Sequence, residues 1–176
     1  MTSEEFQPLF DREVVCPLVE IGFQQRGQSL FWRDEISTFG LIRLGGRNQK
    51  PGHICHVACF RHNFLRDLNE KIPSSPPTEV FTYPYKFLPS GSSVVQPYTP
   101  QNLNYDKEYL DYTGHQDDII RSLQDLQSRV SDVLLPYARS LSPETAYEQI
   151  LNNQEYAWIE KIWLADYEST LQNNKA

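Results

Sequence analysis

No stretch of this sequence approaches the roughly 18 uncharged apolar residues that a membrane-spanning helix needs, which argues against a helical membrane protein. The opening residues Met-Thr-Ser-Glu-Glu-Phe are acidic where a secretory signal is basic, so the expected compartment is the cytoplasm. Cysteine is scarce. Cys16, Cys55 and Cys59 cannot all pair, and a chain of 176 residues needs no disulfide staple, so reduced and mostly buried thiols are expected. A phosphate cradle is missing too: Gly45-Gly46-Arg47-Asn48-Gln49-Lys50 lacks the full spacing of a P-loop and no strong helix follows it, which leaves a hydrated basic turn.

Basic residues are short in one part of the chain. Residues 1–100 carry ten Lys and Arg against ten Asp and Glu, whereas residues 101–176 carry six against thirteen, so the whole net charge of −7 lies in the last 76 residues. An acidic field of this kind repels nucleic acid, favours a basic partner and speeds a charged encounter, although charged helix faces also serve solubility alone. What the chain has in quantity is aromatic surface. Nine Phe, ten Tyr and three Trp supply a core for a single domain spanning 1–176 and argue against disorder of the whole chain.

Phe6, Leu9, Phe10, Val14, Leu18 and Ile21 recur at helical spacing, which predicts a helix over about 3–21, capped by Thr2 and Glu5 and ended by Gly22. Pro8 and Pro17 predict a late start or a kink in it. Short runs rich in aromatic and branched residues then predict strands at Ser29–Arg33, Phe39–Leu44 and His53–Phe60, with a fourth at Val80–Phe87 that Pro84 confines to an edge. Seven of the twelve prolines fall between Pro73 and Pro100, predicting a Pro/Ser-rich loop or arm over about 73–100. Beyond it a long amphipathic helix runs from about Gln116 to Leu135, where Pro136 is expected to end it. Ser142-Pro143-Glu144 opens a short helix, and Trp158, Ile159, Ile162, Trp163, Tyr167 and Leu171 mark a last one. The expected fold is therefore α+β: an N-terminal helix, a small antiparallel sheet of three to four strands, and C-terminal helices packed on it.

Two clusters carry possible chemistry. His53, Cys55, His56, Cys59 and His62 supply five metal-ligating side chains within ten residues. On a strand, His53, Cys55 and Cys59 point one way and His56 and His62 the other, so four ligands do not converge, and no second Cys or His pair exists elsewhere. A Cys/His metal-binding or redox-sensing protein or enzyme is accordingly the alternative reading, and no cofactor is assigned. No local motif marks a Cys–His nucleophile. The second cluster interleaves carboxylates with tyrosines: Tyr105, Asp106, Glu108, Tyr109, Asp111, Tyr112, Asp117, Asp118 and Asp125. Asp117 and Asp118 open a helix, where capping explains them, yet the set as a whole joins electrostatic steering to rigid contact area, as gripping a basic protein requires. A third set, Arg26, Arg33, Arg43, Arg47, Lys50, Arg61 and Arg66, would bind phosphate or nucleic acid if it shared one face, which strand parity does not force.

The stretch Leu18 to Phe60 joins the end of a helix at Gly22-Phe23 to Gln24-Gln25-Arg26-Gly27, the strand Leu30-Phe31-Trp32-Arg33 and the run His53-Ile54-Cys55-His56-Val57. This resembles the bacterial domain-of-unknown-function family numbered 4304, whose members open with a helix, a Gly-Phe-basic-x-Gly turn and a meander, and the tail Leu134-Leu135-Pro136 is similar to it as well. The proline-rich insertion after Lys71 and the cysteine-histidine strand depart from that pattern. The resemblance implies an α+β domain without catalytic residues to carry over. Related small acidic bacterial proteins serve as immunity proteins, so the expected function is a non-enzymatic interaction protein, an immunity protein or antitoxin that inhibits a basic toxin such as a nuclease.

Overall fold

A computed structural model of the chain describes residues 1–44, 51–67, 69–87, 109–152 and 158–173, with Tyr109 and Asn173 described by backbone alone. The fold is α+β. Six strands, β1 (Gln24–Arg26), β2 (Ser29–Arg33), β3 (Ser37–Arg43), β4 (His53–His62), β5 (Tyr85–Phe87) and β6 (Tyr109–Asp111), form one antiparallel sheet in the order β1-β2-β3-β4-β5. This exceeds the expected three to four strands. The additions, β1 and β6, are three residues each and too short to show an alternating pattern.

The ten-residue β4 organises the sheet. Its first edge pairs with β3 along seven residues, Ser37↔His62 to Arg43↔His56. The Leu44 amide also donates to the Cys55 carbonyl on that side, so β6 and β5 share the opposite edge end to end, β6 on His53–Cys55 and β5 on Ala58–Phe60. The β2–β3 hairpin is pinned by Asp34, whose carboxylate accepts from the Ile36 and Ser37 amides at 2.8 and 2.6 Å.

The helices form four rods among the described residues. The first runs as α1 (Ser3–Phe10), a π turn (Asp11–Val15) and α2 (Cys16–Glu20). It starts at Ser3 rather than late, because Thr2 and Glu5 close a reciprocal capping box. Gly22, at φ +101°, ends it: its amide donates to Val19 and that of Phe23 to Leu18, a pair of bonds that needs a left-handed residue. The second rod runs as α3 (Gln116–Ser128), a π turn (Arg129–Leu134) and α4 (Leu135–Ser140), so Pro136 does not end the helix as expected. Both π turns close just before a proline, with Cys16 N–H on the Asp11 carbonyl ahead of Pro17 and Leu135 N–H on the Val130 carbonyl ahead of Pro136. An interior proline clashes with the carbonyl four residues back, and the wider π turn relieves that clash without breaking the rod. α5 (Pro143–Leu151) begins at Ser142, whose hydroxyl accepts from the Thr145 amide, and α6 (Trp158–Asn173) is the fourth rod.

All four rods pack on one face of the sheet, where Phe6, Phe10, Leu18, Phe39, Phe60, Leu123 and Trp163 share the main core. The other face carries a second cluster of Phe31, Ile42, Cys59 and Tyr83. Residues 73–84 of the proline-rich segment lie against it, tied by Arg33 to the Pro73 carbonyl (3.2 Å), by Arg61 to the Thr82 carbonyl (3.1 Å) and by the Tyr83 hydroxyl to the Pro77 carbonyl (2.8 Å). Gly40 is required there. A Cβ at this position would stand 3.2 Å from Cys59 Sγ, Ile42 Cγ1 and Phe31 Cδ1, so Gly40→Val should lower stability by about 1–3 kcal/mol in urea unfolding.

Candidate functional site

The carboxylate-rich segment begins on β6, whose backbone is held by β4, and continues into α3. Asp111 is exposed, but its Oδ1 accepts from the Thr113 amide and hydroxyl at 2.7 and 2.6 Å, and these bonds hold its carboxyl below the usual range. It closes a turn. Tyr112 is half-buried and its ring stacks on Phe6 at 4.6 Å, so it joins the main core rather than offering a free face. Asp117, Asp118 and Asp125 are exposed on α3, with Asp118 paired to Arg121. Tyr105, Asp106 and Glu108 lie outside the described residues, as does the side chain of Tyr109.

Two carboxylates missed from sequence adjoin α3. Glu13, on the first π turn, accepts from Gln124 of α3 at 2.9 Å, which together with Arg12 holds its carboxyl below the ordinary value. The bond places the first rod alongside α3. Asp132, exposed on the second π turn, follows Asp118 and Asp125 at intervals of seven residues and extends the stripe. Heptad spacing in the sequence carried a signal for Asp132. The contact between Glu13 and Gln124 spans 111 residues and had none.

The Cys/His segment is β4 and divides between the faces as strand parity requires. Cys55 and Cys59 are buried and reduced on the face with the second cluster, and His53 lies on the same side with Nδ1 at 2.9 Å from the Pro51 carbonyl. Four residues along a strand separate the two thiols by about 13 Å, beyond the reach of a disulfide. Burial also pushes the Cys59 thiol well above its ordinary range, and its Sγ donates to the Gly40 carbonyl at 3.4 Å. Such a thiol is a poor nucleophile. His56 and His62 point to the main core. Among the described residues no three His, Cys, Asp or Glu side chains come together as metal ligands.

Of the basic set, Arg33 and Arg61 do share a face, because both are cross-strand partners of Thr38. Both are spent on backbone carbonyls of the covering segment. Arg43 belongs to the helix side, Arg66 is paired with Asp166 at 2.6 Å, and Arg47 and Lys50 lie outside the described residues.

No protein-family model, curated protein or solved structure matches the chain. Among the described residues no helix is long and apolar enough to cross a membrane. Among the described residues Asp117, Asp118 and Asp125 on α3 and Asp132 on the second π turn are exposed carboxylates of the acidic part of the sequence, and Gln124 of the same α3 bonds Glu13 of the first rod.

Proposed function

We propose that the protein is a non-enzymatic bacterial interaction protein that grips a basic protein through this carboxylate face, acting as an immunity protein or antitoxin against a toxin such as a nuclease. The observation that carries this reading is the exposure of Asp117, Asp118 and Asp125 on α3, the helix whose Gln124 bonds Glu13 of the first rod. Clustered like charges at an exposed face raise the association rate with an opposite charge and disfavour acidic partners. The likeness to the family numbered 4304 belongs to the same proposal. The buried thiols and the carbonyl-bound arginines of the sheet favour neither nucleophilic chemistry nor phosphate binding at those positions.

Copurification of the full chain from its native host is expected to return a strongly basic protein that is released as salt is raised, since screening weakens exposed charge pairs. Return of only neutral or acidic proteins, or equal capture by a variant with Asp117→Asn, Asp118→Asn and Asp125→Asn, would contradict the reading.

A further inference from the structure

We propose that His56 is a proton-operated latch for the first helical rod: charging its imidazole opens Ser3–Glu20 from the sheet while the sheet and the C-terminal helices stay folded. His56 sits on the main-core side of β4 with 4% of its surface exposed, and its ring lies parallel to that of Phe10 at 5.1 Å between centroids and 8° between planes. Phe10 is the residue at which α1 passes into the π turn. The stack therefore fastens the rod where its backbone already departs from α geometry.

The surroundings accept the neutral ring and on balance oppose the charged one, with only a hydrogen bond to the Gln28 backbone favouring the charge. His56 Nε2 is buried with no hydrogen-bond partner among the described residues. Its cross-strand partner is Arg43, whose own Nε is buried and unmatched, so a proton on His56 would add a second cation beside the first. Carboxylates on the adjoining elements face elsewhere. On the π turn Asp11 accepts from Gln7 and Glu13 from Arg12 and Gln124, on β6 Asp111 is occupied by Thr113, and on α3 Asp117, Asp118 and Asp125 are exposed.

Burial first and Arg43 second lower the His56 pKa from 6.5 to about 3. The folded value lies below the unfolded one, so the stabilisation is complete above pH 6.5 and is lost as pH falls from there toward 3. His62, the other buried histidine on this face, is also shifted down by burial, but it packs on Phe64 and Trp163 and bonds the Leu141 carbonyl at 3.0 Å. It therefore acts on the C-terminal rods.

Amide hydrogen exchange of the full chain at pH 7.5 and pH 5, corrected for the chemical exchange rate, tests the latch. Opening of residues 3–20 should rise about thirtyfold between the two, the ratio that follows from unfolded and folded pKa values of 6.5 and 3, with β2, β3 and α6 changing less. His56→Phe, which keeps a ring against Phe10, should abolish the rise, and His62→Phe should keep it. If His56→Phe does not fold, His56→Gln gives the same comparison. A rise that survives loss of the imidazole, no rise in the native protein, or equal loss of protection in the sheet and α6 would overturn the proposal.

Discussion

Replacing Arg61 by leucine is expected to lower the free energy of unfolding by roughly 3 kcal/mol, because the carbonyls of the buried Thr82 and Leu65 lose a charged donor. Arg61 is 1% exposed, and its guanidinium donates to the Thr82 carbonyl at 3.1 Å, to the Leu65 carbonyl and, more weakly, to the Arg66 carbonyl at 3.5 Å. It also lies over the Tyr83 ring at 5.9 Å. The side chain thus joins the end of β4 to the turn that follows it and to the Thr82 end of the segment that covers the second face. Leucine fills part of the volume and leaves the carbonyls bare. Burial already lowers the Arg61 pKa, so the cation itself is held at a cost, and the loss on substitution measures the carbonyls rather than a salt bridge. Urea unfolding reads the change, and a loss below about 1 kcal/mol would mean that the segment is held by Tyr83 and its apolar neighbours alone.

The second large effect is expected at the buried pair of Lys86 and Glu160. Lys86 Nζ stands 3.9 Å from Glu160 Oε1, with 4% and 5% of the side chains exposed, and donates to the Tyr83 carbonyl at 2.7 Å. Removing one partner of a buried pair costs about 3–5 kcal/mol, whereas replacing both by apolar groups of similar size is often neutral or favourable. Glu160→Leu should therefore be strongly destabilising, and adding Lys86→Met should recover most of the loss. Burial lowers the Lys86 pKa from 10.5 and Glu160 raises it, so deleting the carboxylate lowers it further. A folded value below the unfolded one means that the deficit of Glu160→Leu shrinks as pH rises toward 10.5. Double-mutant analysis of unfolding free energies decides the point: additive losses would show that the two groups are not coupled.

Different parts of this fold were legible to different degrees. The apolar stripes of the first rod and α3, the caps at Thr2 and Ser142, and the strand at Ser29–Arg33 stand in the sequence because each depends on residues within a few positions. Pro136 was misleading. A proline signals helix termination only when the turn before it keeps α geometry, and no local feature announced the π turn that accommodates it. The strand over His53–Phe60 was legible from its residues, yet its burial on both sides was not, because what covers the second side depends on Arg33 reaching Pro73 over 40 residues and Arg61 reaching Thr82 over 21. The burial of Arg61 and Lys86 had no signal in the sequence because their acceptors and partner are defined only by the fold. For the candidate surface, the charge asymmetry was visible from composition, but the inclusion of Glu13 and the withdrawal of Tyr112 into the core required the packing of α3 on the first rod.

Affinity for the copurifying basic protein, measured with the native chain and with the Asp117→Asn, Asp118→Asn, Asp125→Asn variant over a range of salt, tests the carboxylate face most directly. Loss of three steering charges is expected to weaken binding by on the order of tenfold or more, mainly through slower association, and to flatten its salt dependence. Equal affinity and an equal salt slope for the two chains would contradict the proposed role of this face.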